Sequence, residues 1–197
     1  APGRLIGRAL GGGDEEDLES VRFDLLQTGM GKLQRKALDR LAKGLEAKAD
    51  LTVALVPIVD PREEQEELAA FLAKQEFLQL TGTLTEEDSA RIIALSTRDS
   101  LFVGFLDSKS PGTAGQGERQ RCVAIAGAET VTTRCRELES ARQAAVKAYL
   151  QAQGLNAPRV TQRSGTTEET KGFLGKPGYR FVFDAGEEPS AVQPASK

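Results

Sequence analysis

The sequence contains no histidine. That absence excludes His-based metal sites, Ser-His and Cys-His nucleophile pairs, and a histidine pH switch. Tryptophan is also missing and only 5% of residues are aromatic, so the core has to come mainly from Leu, Val, Ile and Ala. No apolar run approaches the roughly 20 residues needed to cross a bilayer. Positive charge is not in excess: 26 Lys plus Arg face 29 Asp plus Glu, a formal charge of −3. A broad basic face for gripping nucleic acid is therefore not expected, which still leaves room for a local basic patch. No signal peptide opens the chain and its first residue is Ala, so a processed protein or a piece of a longer one is expected.

Cysteine is nearly as scarce. Cys122 and Cys135 lie thirteen positions apart, the wrong spacing for a zinc knuckle or a redox CxxC, and two thiols make half a metal site. They could close a short loop worth about 3 kcal/mol, or be two unrelated thiols, one of them packed as a small hydrophobe.

What is present suffices for one good-sized domain, or for one with a substantial insertion: 197 residues, 39% hydrophobic and 28% charged. Residues 1–18, with the run Gly11-Gly12-Gly13 followed by Asp14 and Glu15, read as an arm or linker. They are not a phosphate loop, which needs Lys and Ser/Thr after its last Gly. Val21 to Leu25 alternates as a strand with one buried face. Leu33, Ala37, Leu38, Leu41 and Leu45 recur at helical spacing among Lys, Arg and Asp. Leu51 to Val59 is an apolar, β-branched run, read as a central strand covered on both faces. Pro57 inside it implies a bulge or a position needing no ladder donor.

Asp60-Pro61 then gives an N-cap followed by proline at the first helical position, for a helix through Leu68, Phe71 and Leu72. A second helix start is expected at Thr85 to Asp88, leading into Ile92, Ile93 and Leu95. Leu101–Leu106 and Cys122–Ala126 read as strands, with 107–121 between them as a mobile surface loop. Leu138, Ala141, Ala145, Tyr149 and Ala152 mark a helix that stops at Gly154. Arg159–Arg163 and Tyr179–Phe183 read as the last strands, and 186–197 as a disordered tail. The expected class is α+β, a small mixed sheet with helices packed on one face.

Two stretches carry a family resemblance. LGGGDEEDLESVRFDLLQTGMGKLQRKALDRLAKGLEAKADLTVALVPIVDP is similar to the C-terminal region of AsmA-like bacterial envelope proteins. LESARQAAVKAYLQAQGLNAPRVTQRSG resembles the helix-to-strand unit of OmpA-like peptidoglycan-binding domains. The resemblance implies an OmpA-like βαβαβ domain over residues 19–185 with an inserted subdomain at about 78–136. It also implies a periplasmic place, at the end of a long chain anchored in the inner membrane and concerned with lipid transport or outer-membrane assembly. An oxidising periplasm would favour a Cys122–Cys135 disulfide.

In OmpA-like domains an Asp and an Arg clasp the zwitterionic diaminopimelate of the wall, and the matching positions are Asp60 and Arg142. The surrounding pattern departs from the family's: Val59, Glu139 and Gln143 stand where Thr, Ser and Ala are usual. Helix capping accounts for Asp60 without a ligand, and a solvated pair with Glu137 or Glu139 would account for Arg142. The acids at Glu63–Glu67 and Glu86–Asp88 fall at helix starts, where the macrodipole explains them and no cleft pairs them for hydrolysis. Arg119, Arg121, Arg134 and Arg136 flank the cysteines and could meet anionic lipid headgroups, or simply solubilise. The expectation is a non-catalytic interaction domain without cofactor or metal. Its partner would be an envelope protein, or peptidoglycan in the alternative reading.

Overall fold

A computed structural model describes residues 19–58, 60–80, 82, 85, 88–113, 115–155, 158–172 and 175–185. The expected arm at 1–18 and tail at 186–197 lie outside the described residues, as do Val59, Glu86 and Glu87. In chain order the strands are β1 (Ser20–Arg22), β2 (Leu51–Ile58), β3 (Val160–Gln162) and β4 (Gly178–Ala185). The helices are α1 (Lys32–Glu46), α2 (Pro61–Gln79), α3 (Ser89–Ala94), α4 (Ser100–Lys109), α5 (Glu118–Ala126), α6 (Ala128–Ala152) and α7 (Thr167–Thr170), with a 3-10 turn at Pro111–Thr113. The class is α+β, as the pattern of elements predicted.

The sheet order is β1-β4-β2-β3. β4 runs antiparallel to both β1 and β2, while β3 is parallel to β2. Pro57 fits β2 for a reason of register. Val53 donates its N–H to the Arg159 carbonyl at 2.9 Å, and Leu55 accepts from the Arg163 N–H at 3.3 Å. Odd-numbered β2 residues thus turn their backbone groups toward β3, and β3 pairs only with Val53 to Leu55. Pro57 shares that parity but lies past the end of β3, so its missing N–H breaks no ladder bond.

Two buried clusters result. In the first, Leu38, Leu41 and Leu45 of α1 and Val146 and Leu150 of α6 pack on Val21, Val53, Leu55, Tyr179 and Phe181 of the sheet. The other side of β2 is closed too, with Ala54, Val56 and Ile58 buried and α7 against the strand. The second cluster joins α2, α4, α5 and the start of α6 through Leu68, Ala73, Phe102, Phe105, Leu106, Cys122 and Val131. Phe77 stands edge-on to Phe102, with centroids 5.6 Å apart, and Phe102 stacks on Phe105 at 6.0 Å.

The strands expected at 101–106 and 122–126 are helices. Within Leu101–Leu106 the buried residues are Phe102, Phe105 and Leu106, a helical spacing that the unbroken apolar run conceals. Asp99 starts that helix by accepting from the Leu101 and Phe102 N–H groups at 3.0 and 3.1 Å. Cys122 likewise pairs with Ile125 and Ala126 one turn on. The segment 107–121, expected as a loop, holds the end of α4, the 3-10 turn and the start of α5. Gly127, at φ +82°, turns the chain from α5 into α6. At the far end Gly154, at φ +81°, stops α6 where expected.

Two helical faces are also shifted from expectation. Leu33, placed on the apolar stripe of α1, is 76% exposed. On α6 the buried stripe is Val131, Arg142, Val146 and Leu150, one position round from the predicted one, and Ala141 is exposed. The buried stripe includes an arginine, a residue type that hydropathy places on the solvent side.

Candidate functional site

Arg142 is the largest fully buried side chain of the described residues. Its Nη1 donates to Glu64 Oε2 at 2.9 Å and its Nη2 donates to Glu64 Oε1, a two-pronged ion pair. Its Nε donates to the Gln27 carbonyl at 2.7 Å. Glu64 Oε1 also accepts from the Leu26 N–H at 3.1 Å. Leu26 adopts φ +64°, unusual for a residue with a Cβ, and that carboxylate bond fixes it. The Phe23 ring lies 5.9 Å from the guanidinium carbon. Arg142 therefore ties the turn after β1 to α2 and α6, beside the sheet core and the helical core alike.

The expected solvated pairing of Arg142 with Glu137 or Glu139 is corrected here. Glu137 pairs with Arg134 at 3.0 Å on the surface. Glu139 is turned inward, and its Oε1 accepts from the Tyr179 hydroxyl at 2.8 Å, while its Oε2 is buried with no partner. Burial pushes the Glu139 carboxyl above its ordinary value, against the opposing pull of the Tyr179 hydroxyl and Arg142, with Glu64 adding to the rise. Burial and the Glu139 carboxylate also raise the Tyr179 hydroxyl.

A carboxyl with a raised folded pKa stabilises the fold fully only below the ordinary carboxylate range. That contribution is lost as pH climbs through the folded value. Glu139→Gln keeps an acceptor for Tyr179 and removes the charge. Thermal melts are expected to show the variant more stable than wild type near about pH 8, with the difference gone near about pH 4. A difference independent of pH would refute this assignment.

Asp60 is the N-cap of α2 and accepts from the Arg62 N–H at 3.2 Å, with Pro61 behind it. Glu64 lies one turn further along the same helix. The fold thus brings Asp60 into the neighbourhood of Arg142, but the guanidinium is already neutralised from within.

The cysteines form no disulfide: both are free thiols. Cys122 is buried on α5, near Lys74 and Arg121, and burial drives its thiol up to about 11. Cys135 lies two turns into α6, near Glu64 and Arg142, and burial and the Glu64 charge raise its thiol as well. Both border the helical cluster, on two helices that meet at the Gly127 corner, and their sulfurs stay unbonded.

The four flanking arginines gather no free patch. Arg119 pairs with Glu67 at 3.2 Å, Arg121 is buried against Asp107 at 2.5 Å, Arg134 holds Glu137, and Arg136 is exposed.

A small recess of about 280 Å³ opens between α6 and β3. Leu55, Val146 and Leu150 floor it, and Gln143, Lys147 and Gln162 stand at its rim. No carboxylate, serine or thiol lines it, so it offers no acid pair and no activated nucleophile. Among the described residues no three acids or cysteines are placed to hold a metal ion, and no helix is long and apolar enough to cross a membrane.

The cations that do face solvent together are on α1: Lys32, Arg35, Lys36 and Lys43. In the sequence this helix stands out by its apolar stripe. The three- and four-residue spacing of its cations was the signal available.

Compared with family models, with curated proteins and with solved structures, the chain finds no match.

Proposed function

We propose that this chain is a non-catalytic interaction module of the bacterial periplasm, part of an AsmA-like envelope protein on a divergent OmpA-like scaffold. One observation carries the non-catalytic half of that reading. Two inward-facing pairs are bound internally, Arg142 to Glu64 and Glu139 to Tyr179, and the recess beside them is lined by no carboxylate, serine or thiol. The envelope half rests on the sequence resemblance. The mixed four-stranded sheet, with two helices laid on it and a helical subdomain added, is compatible with that scaffold.

Wall binding would require the Arg142 guanidinium to leave Glu64 and reach a ligand carboxylate, which costs more than an exposed clasp would return. Purified protein is therefore expected to stay in the supernatant when peptidoglycan sacculi are pelleted. Co-sedimentation that is lost in Asp60→Ala, a change that leaves the buried pair intact, would establish the wall-binding alternative instead. The full reading frame tests the rest: a membrane anchor and a long β-rich region upstream of Ala1 are expected, and their absence would remove the AsmA-like assignment.

A further inference from the structure

We infer that the solvent face of α1 docks on the surface of an anionic lipid bilayer. Lys32, Arg35, Lys36 and Lys43 are all exposed, and among the described residues none has a carboxylate within ion-pair distance. At 3.6 residues per turn the four fall on one side of the helix, in a stripe roughly 16 Å long. Two acids share that side: Asp39, which accepts from the Tyr149 hydroxyl at 2.7 Å, and Glu46 at the helix end, so the stripe keeps a net positive charge of two. The chain as a whole carries −3, so this is a local concentration of positive charge against the overall sign. It is a feature of placement and does not follow from composition.

The apolar side chain beside the stripe selects the occupant. Leu33 is 76% exposed, one turn from Lys36, and the half-buried Met30 precedes the helix. Cations flanking an exposed Leu on a convex helix suit a headgroup layer, where the ammonium and guanidinium groups meet phosphates and the Leu enters the acyl boundary. Nucleic acid would call for aromatic platforms or a wider basic face, and no aromatic residue lies in the stripe. α1 is held in place by its other face, since Leu38, Leu41 and Leu45 are locked in the sheet core. The docking element is thus a rigid surface of the domain that needs no unfolding to reach the lipid.

This inference rests on the interaction-module reading above, and its test is separate from the tests of that reading. Binding would be measured by co-sedimentation with vesicles of phosphatidylcholine alone and of phosphatidylcholine with phosphatidylglycerol in equal parts. The protein is expected on the anionic vesicles alone. Each cation neutralised to Gln is expected to lower partitioning about fivefold. Leu33→Ser should lower it about tenfold while leaving binding to duplex DNA or polyglutamate unchanged. All these positions are exposed, so melting temperatures should not move. Wild-type protein that ignores anionic vesicles would overturn the inference, as would equal partitioning onto neutral ones. Binding that Leu33→Ser leaves intact while DNA or polyglutamate competes fully would assign the stripe to a polyanion and overturn it too. Failure here leaves a non-catalytic module with another partner, whereas hydrolytic turnover would sink the module reading itself.

Discussion

Arg142→Met is expected to lower the free energy of unfolding by about 3–5 kcal/mol, measured by urea denaturation. The change keeps most of the side-chain volume but strands Glu64 as a buried charge with only the Leu26 N–H to hold it. It also leaves the Gln27 carbonyl without its guanidinium donor. Most of the loss comes from the stranded carboxylate, since a buried pair is worth little over apolar replacements of the same size. The double variant Glu64→Gln, Arg142→Met should therefore be more stable than Arg142→Met alone, because Gln can still accept from Leu26 and carries no charge. A single variant within about 1 kcal/mol of wild type, or a double variant no better than the single, would show that the pair does not organise this junction.

The second large effect is expected at Arg159. Its Nη2 donates to three carbonyls: Leu45 at 2.5 Å, Lys48 at 2.7 Å and Leu51 at 3.2 Å. Leu45 belongs to the last turn of α1 and its carbonyl also accepts from the Lys48 N–H at 3.2 Å, while Leu51 opens β2. One cation therefore caps a helix, where it also suits the macrodipole, and pins the start of the central strand. Arg159→Ala should cost about 2–3 kcal/mol by the same measurement, since it leaves carbonyl oxygens partly buried without a charged donor. Arg159→Lys should recover most of this, because an ammonium carries three donors. If the Lys variant is as unstable as the Ala variant, the packing of the guanidinium matters and its hydrogen bonds do not.

These two arginines also show where sequence reading stops. Local signals were legible because their causes lie within one turn: Asp60-Pro61 at the start of α2, Gly154 at the end of α6, the apolar run of β2 and the alternation of β4. Arg142 is 78 positions from Glu64 and Arg159 is 114 from Leu45. A charge on a helix was therefore read as solvated when its partner was out of local view. The Leu101–Leu106 error has another origin. A run apolar at every position carries no period, so spacing could not tell a buried helix from a buried strand, and Asp99 was the cue to read. At Cys122 and Cys135 the spacing was known and the geometry was not, and a helical corner decided it.

The outer strands of the described sheet, β1 and β3, are three residues each, while the inner two have eight. A neighbouring chain seeking to extend the sheet meets only a few unsatisfied backbone groups at either border, too few to template a stable ladder. β1 and β3 cover only part of the inner strands, Gly178–Arg180 of β4 and Val53–Leu55 of β2. Past the end of β3, Pro57 has no N–H to offer an incoming strand, so fibre growth at that border is expected to be hindered.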